Sequence, residues 1–75
     1  MIVKIKFIGV TDIDIPSEMS LEKDATVADV VNYLERVNGS PVDGLTILVN
    51  KEKTSLDTKL QEDDQILILQ VLGGG

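Results

Sequence analysis

The sequence predicts an α+β domain in which one helix packs on one face of a four-stranded mixed sheet, in the order β-β-α-β-β. Both ends of the chain alternate between apolar and polar residues with a period of two, which is typical of half-buried strands. One central segment instead repeats its apolar residues at helical spacing. The chain of 75 residues is long enough for one domain, and its 43% hydrophobic content can supply a core.

The first two strands are predicted on either side of a turn. The segment "MIVKIKFIGV" alternates in polarity, and "SEMSLEK" repeats the alternation with Met19 and Leu21 inward. Between them, "GVTDIDIP" is rich in Gly, Asp and Pro, a composition that favours a turn. The first strand therefore presents Val3, Ile5 and Phe7 on its inward face and Lys4 and Lys6 on its outward face.

The helix is predicted over residues 26–38, in "TVADVVNYLERVNG". Thr26 followed by Asp29 indicates an N-cap with a capping-box partner, and Gly39 is placed as a C-cap glycine. The apolar residues that recur at helical spacing are Val27, Val30, Val31, Leu34 and Val37.

Two further strands are predicted in the second half of the chain, in "LTILVN" and "QILILQVL", joined by the polar connection "KEKTSLDTKLQEDD". A helix that crosses between two hairpins suits a sheet whose first and last strands are central and parallel. The predicted core is Val3, Ile5, Leu21, Val27, Val30, Leu34, Leu60, Ile66 and Ile68.

Composition restricts the classes of function. Without cysteine or histidine the chain lacks a thiolate nucleophile and the usual zinc ligands, so we expect no enzyme activity of its own and no bound metal. A net charge of −6 disfavours binding to nucleic acid, which requires clustered basic residues. No apolar run has membrane-spanning length, and the strand pattern begins at Met1 without a signal peptide. We expect a soluble, cytoplasmic domain that is monomeric when free and has no membrane partner.

The chain ends in three glycines directly after its last strand. We expect residues 1–72 to form the domain and residues 73–75 to form a flexible C-terminal tail. Four extended residues reach about 13 Å, and glycines make the narrowest thread that a polypeptide can form. Such a thread can enter a tunnel and place a terminal carboxylate in an enclosed site.

Element order, length and ending together resemble the ubiquitin-like β-grasp sulfur carriers and small modifiers. This group includes the molybdopterin synthase small subunit, the thiamine sulfur carrier and the archaeal small modifier proteins. The resemblance covers the whole chain in element order and is tightest over residues 45–75: "LTILVN" ends on Asn50, "LQEDDQI" resembles the family's Leu-x-Asp-Gly-Asp-Glu-Val, and the chain closes on Gly74 and Gly75. Three positions differ from the family pattern: Asp63 replaces a glycine, Gln70-Val71 replaces a frequent Pro-Pro, and Gly73 adds a third glycine.

The resemblance implies that the reactive group is the carboxylate of Gly75, with Gly73 and Gly74 threading the tail into a partner. An E1-like adenylating enzyme would activate this carboxylate with ATP, so that AMP becomes the leaving group. Attack by a persulfide sulfur leads to a thiocarboxylate, which a synthase accepts as its sulfur source, whereas attack by a lysine amine of a target protein leads to an isopeptide. ATP is used by the activating partner, and no cofactor is implied for this chain.

Three functional alternatives remain open from the sequence. The chain is a sulfur carrier in cofactor or metabolite biosynthesis, a protein modifier joined to lysines, or a β-grasp interaction domain with an idle tail. The first two need the same activated carboxylate, so the sequence does not separate them.

A partner-binding face is predicted from the alternation of the last strand. If Ile66 and Ile68 face the helix, the intervening residues face the opposite side of the sheet, which a single helix leaves in water. An apolar face rimmed by charge is typical of a protein-binding site. The predicted partner-binding residues are Leu67, Leu69, Val71, Lys4 and Lys6.

Overall fold

The computed structural model describes residues 1–10 and 12–71, and within them the chain forms one helix and one mixed sheet. The single helix and the mixed sheet confirm the α+β class expected from the two periodicities. In chain order the elements are β1 (Ile2–Ile8), β2 (Glu18–Ser20), α1 (Val27–Asn38), β3 (Leu45–Val49), β4 (Glu52–Lys53) and β5 (Gln65–Gln70).

The strands are arranged in the order β2-β1-β5-β3-β4, which places the last strand in the middle of the sheet. β1 and β5 are parallel, with Ile5 opposite Ile66, and the other neighbouring pairs are antiparallel. The predicted parallel pairing of the first and last strands is therefore confirmed. β1, β5 and β3 each have a neighbour on both sides, so the edges of the sheet are formed by the two short strands β2 and β4.

The prediction of four strands is wrong, because the structure has a fifth, β4, at the edge of the sheet. β4 pairs with the end of β3 through a tight turn in which Asn50 and Lys51 both have positive φ, at 52° and 74°. Two consecutive positive φ angles are characteristic of a type I′ hairpin turn. The strand escaped prediction because it has only two residues, Glu52 and Lys53, and both are polar.

The helix has the ends that its sequence predicts. The N-cap Thr26 is extended, and its backbone N–H donates to the carboxylate of Asp29 at 2.8 Å. At the other end, Gly39 adopts φ 84° and donates its N–H to the carbonyl of Glu35 at 2.9 Å. No helix in the described part of the chain is long and apolar enough to cross a membrane.

The core lies between α1 and one face of the sheet. Eight of the nine predicted core residues belong to the buried cluster, and Leu34, Ile68 and Val3 are among the largest fully buried side chains. Leu21 is the exception, since it is only partly buried at the margin of the cluster. Ile47, on β3, is buried at 7% exposure in a position that the prediction did not include.

Candidate functional site

The face of the sheet that points away from α1 is defined here as the open face. Residues in register on neighbouring strands point to the same side, so the pairing identifies its members directly. Its side chains are Glu18 and Ser20 on β2, Ile2, Lys4, Lys6 and Ile8 on β1, Gln65, Leu67 and Leu69 on β5, Thr46 and Leu48 on β3, and Lys53 on β4.

The open face carries apolar side chains that the core does not use. Leu48, Leu67 and Leu69 are partly buried, yet they do not belong to the core cluster or to the apolar residues packed against it. Ile8 is 49% exposed at one end of this face, and Val71, which follows β5, is 62% exposed. The fold therefore presents aliphatic surface to solvent, which is typical of a protein-binding site.

Lysines flank this aliphatic surface on both sides. One row across four strands reads Lys6, Leu67, Leu48, Lys53, each residue in register with the next. With strands about 4.8 Å apart, the row spans about 14 Å between the outer Cα atoms. The leucine pair is thus bounded by a positive charge at either end.

Three lysines also line a shallow depression at the Gln65 end of the open face. The depression has a volume of about 350 Å³, and its walls include Lys4, Lys6, Lys51 and Leu67. Among the described residues, no carboxylate lies within 4.0 Å of these three ammonium groups. The ion pair found in that part of the chain joins two other residues, Lys59 and Asp24. The same part of the chain holds no group of three acidic side chains that could bind a metal ion.

The root of the C-terminal tail lies at the end of β5. Gln70, the last strand residue, is opposite Leu45 on β3, and the next N–H, that of Val71, donates to the carbonyl of Gly44 at 2.7 Å. On the β1 side the contact is close, because a Cβ added at Gly9 would lie 2.6 Å from the Cβ of Gln70. The chain is therefore enclosed on both sides at Gln70 and hydrogen-bonded on the β3 side at Val71, at one end of the open face.

The structure brings the predicted partner-binding residues together on one surface. Lys6 is beside Leu67, Ile8 is beside Leu69, and Lys4 is two residues along the same strand. Val71 continues the alternation at the exposed end of β5. Gly73, Gly74 and Gly75 lie outside the described residues.

The prediction missed residues from the other half of the sheet. Leu48 lies between Leu67 and Lys53 on the open face, and Lys51 lines its depression. Because "LTILVN" is apolar on both of its faces, its alternation alone does not tell which side is buried. The pairing of β3 with β5, which aligns Ile47 with Ile68, resolves it.

One departure from the family pattern has a structural explanation in the turn before β5. Asp63, which replaces the family's glycine, has a φ of 67°, in the left-handed region that glycine adopts most readily. Its N–H donates to the carbonyl of Ile2 at 2.8 Å, which ties the turn to β1. The backbone thus keeps the glycine conformation although the residue differs, and Asp is among the residues that tolerate it.

Solved structures with the same fold include two crystal structures of a small archaeal modifier and one structure of a ubiquitin. The crystal structure of SAMP1 from Haloferax volcanii matches over 100% of both chains, with a TM-score of 0.71 and 19% identity. H. volcanii small archaeal modifier protein 1 matches 92% of this chain and 95% of its own, with a TM-score of 0.67 and 17% identity. Caldiarchaeum subterraneum ubiquitin matches over 100% of both chains, with a TM-score of 0.64 and 18% identity. These likenesses establish a ubiquitin-like β-grasp fold.

Sequence comparison assigns the family. A search of characterised proteins gives no significant match. The model of the ThiS family, however, matches residues 10–75, which is most of the chain and includes the three terminal glycines. This match supports a role as a sulfur carrier or small modifier in general terms, and the chain belongs to the ThiS family.

Proposed function

We propose that this protein is a sulfur carrier whose reactive group is the C-terminal carboxylate of Gly75. The observation that carries the proposal is the family match, which extends through residue 75 and so includes the glycine tail. The geometry after β5 supports it, because the central strand brings the chain to one end of the sheet at Val71. From that point four residues span about 13 Å when extended.

A carboxylate must be activated before it can accept sulfur, because its charge is delocalised and its leaving group would be oxide. An E1-like enzyme supplies the activation by joining the Gly75 carboxylate to AMP from ATP with release of pyrophosphate. The terminal sulfur of a partner's persulfide then attacks the acyl carbon, and AMP leaves as the new carbon–sulfur bond forms. A partner thiol next attacks the sulfur–sulfur bond that the persulfide brought, which releases the thiocarboxylate and leaves a disulfide on the partner. This chain contributes the electrophile and its delivery, while the partner contributes the catalytic groups.

Gly73 and Gly74 allow that delivery. Without Cβ atoms, the tail is narrow enough to pass through an enclosed channel and to lie against the backbone of a partner. A side chain at either position would widen the thread where the space is smallest. The fold thus anchors the tail at Val71, and the glycines carry it from there into the active site of the enzyme.

The open face holds the domain on the activating enzyme while the tail reaches the active site. Leu67, Leu69 and Val71 provide the apolar contact, and Lys4 and Lys6 lie beside it. The exposure of this aliphatic surface and its position next to the tail root support the assignment. Residues at the centre of such a contact carry most of the binding free energy.

Intact-mass measurement of the protein purified from its native host tests the proposal. A sulfur carrier shows a fraction whose mass is raised by one exchange of oxygen for sulfur, located at Gly75 by fragmentation. Semisynthesis of the chain with a C-terminal amide at Gly75 provides the control, since it keeps the length of the tail and removes only the acid. The amide must melt like the wild type and fail to support ATP–pyrophosphate exchange by the E1-like enzyme; exchange at the wild-type rate contradicts the proposal.

Protein modification is the second candidate, because solved structures of the same fold include a small archaeal modifier and a ubiquitin. A modifier uses the same activated Gly75, so the two functions differ in the acceptor. Tryptic digests of the host proteome distinguish them. Lys59 is the last basic residue of the chain, so trypsin leaves residues 60–75 as a branch on each modified lysine. Such branches, if they disappear when the gene is deleted, indicate a modifier. A thiocarboxylate without such branches indicates a carrier.

A further inference from the structure

We propose that the open face recognises an acidic surface on the activating enzyme, in which apolar side chains lie between carboxylates that meet the two ends of the row Lys6, Leu67, Leu48, Lys53. One carboxylate enters the depression lined by Lys4, Lys6 and Lys51, and another pairs with Lys53. This inference rests on the proposed function, because the occupant is the enzyme that adenylates Gly75. It adds the chemistry of the partner, which the family assignment does not give.

Basic residues are concentrated on the open face although the chain as a whole is acidic. The whole chain has 13 acidic and 7 basic residues, so a random surface patch is expected to be negative. The open face and its depression nevertheless collect four of the basic residues, Lys4, Lys6, Lys51 and Lys53. Among strand residues, Glu18 is the acid that the pairing places on this face, and it lies opposite Lys4 at the β2 edge.

The lysines of the open face stand at fixed positions on either side of the leucines. Lys6 and Lys53 end the row whose middle positions are Leu67 and Leu48, so positive and apolar groups alternate in a fixed order across the sheet. Since the strands are hydrogen-bonded to one another, the backbone spacing of this pattern is rigid. A complementary surface places carboxylates at both ends and apolar side chains in the middle.

Lys51 gives a separate indication. It occupies the second central position of the hairpin turn with a φ of 74°, where glycine is preferred. The turn accounts for the conformation itself, but it does not account for lysine in place of the preferred glycine. The side chain of Lys51 lines the depression together with Lys4 and Lys6, which assigns a functional role to its charge.

A second copy of the chain fits this face poorly. Face-to-face pairing of two identical copies brings the lysine-bearing rims of both copies close together, which is electrostatically unfavourable. The acidic remainder of the chain would supply counter-charges only through an unrelated surface. The charge pattern therefore favours a different protein as the occupant.

The test compares two double variants that change the net charge by the same amount. Lys6→Glu/Lys53→Glu reverses the ends of the row, and Lys23→Glu/Lys59→Glu reverses two exposed lysines next to the start of α1. Both variants are checked by thermal melting, and ATP–pyrophosphate exchange with the host's E1-like enzyme then gives kcat and KM for each. Lys6→Gln/Lys53→Gln serves as a second, milder variant in case charge reversal affects folding.

We expect the open-face variant to raise KM at least about tenfold at low salt with kcat unchanged, because rim charges act on encounter and binding rather than on the chemical step. The increase must shrink as ionic strength rises, since salt screens exposed charges. The control variant must stay within about twofold of the wild type.

Three results overturn the inference. Equal KM values for the two charge-reversed variants show that net charge, and not the position of the lysines, governs binding. If the open-face variant changes kcat and leaves KM unchanged, the lysines of the open face have no role in docking. A wild-type dimer that the open-face variant abolishes, with KM unaltered, makes a second copy the occupant. Failure of the wild-type chain itself to support exchange is a different result, because it overturns the proposed function together with the inference that rests on it.

Discussion

Ile68 and Leu69 are neighbours on β5 that face opposite sides of the sheet, and they provide a matched pair of substitutions. Ile68 is 0% exposed, lies in the core, and is in register with Phe7 and Ile47. Leu69 lies on the open face and is in register with Ile8 and Thr46. We predict that Ile68→Ala acts on folding and that Leu69→Ala acts on binding.

The magnitudes follow from burial. Replacing a fully buried isoleucine by alanine costs about 2–5 kcal/mol, and a domain of this size has about 4–11 kcal/mol of stability in total. With a urea dependence of about 1 kcal/mol per M, Ile68→Ala lowers the unfolding midpoint by about 2 M or more. Leu69 is partly exposed and makes no contact with the core cluster, so Leu69→Ala costs only about 1 kcal/mol.

The two substitutions are expected to have the opposite order of effects on binding to the activating enzyme. Leu69 lies on the central strand of the open face, so we expect it to be a main contact with the enzyme. Leu69→Ala must therefore raise KM in the adenylation assay at least about tenfold, which corresponds to about 1.4 kcal/mol. Ile68→Ala must leave KM unchanged once the rate is corrected for the folded fraction. Leu69→Asp must strengthen the binding defect while the protein remains folded, and Val37→Asp, which adds the same charge to an exposed residue of the helix, serves as its control.

The measurements are urea unfolding followed by circular dichroism and the dependence of the exchange rate on carrier concentration. If Leu69→Asp unfolds the protein and Ile68→Ala does not, the facing of β5 is inverted. If Leu69→Asp folds normally and keeps the wild-type KM, the open face is not the docking surface, although the fold assignment stands.

Three further predictions concern stability. Leu34→Ala, at 1% exposure, must lower the free energy of unfolding by about 2–5 kcal/mol, whereas Leu56→Ala, at 50% exposure, must cost much less; equal effects in urea unfolding would contradict the core assignment. Asp63 has a left-handed φ of 67°, which glycine adopts without strain and valine does not. Asp63→Gly must therefore be neutral or stabilising by up to about 1 kcal/mol, and Asp63→Val must be destabilising. The opposite order of melting temperatures would refute the turn geometry. Gly9→Ala places a Cβ 2.6 Å from that of Gln70 and must cost about 1–3 kcal/mol; an unchanged melting temperature would mean that β1 and β5 are less closely packed at the tail root.

All elements of the fold except β4, and about half of the candidate site, were predictable from the sequence because they depend on local periodicity. The alternation of β1 and β5 separates Lys4 and Lys6 from Val3 and Ile5, and the capping residues of α1 fix both of its ends. The last strand is also predictable from the sequence, since its isoleucines and leucines alternate between the two faces of the sheet. These features follow from the two side-chain periods, 2 for a strand and 3.6 for a helix.

The remaining features depend on pairing between segments that are distant in the sequence. β4 is a strand only because its two residues are held against β3 by the turn at Asn50 and Lys51, and nothing in their composition favours a strand. The inward facing of Ile47 is similarly set by its alignment with Ile68. Local sequence does not encode such alignments, because register is a property of two strands together.

The sequence by itself determined the fold class, the helix with its caps, the facing of the two central strands, and the glycine ending that identifies where chemistry is expected. The tertiary structure decided how the open face is composed. It places Lys53 and Leu48 in line with Leu67 and Lys6, and it brings Lys51 to the depression that Lys4 lines. The physical reason is that a surface pattern arises from hydrogen-bonded register across strands, which joins residues that are tens of positions apart in the chain.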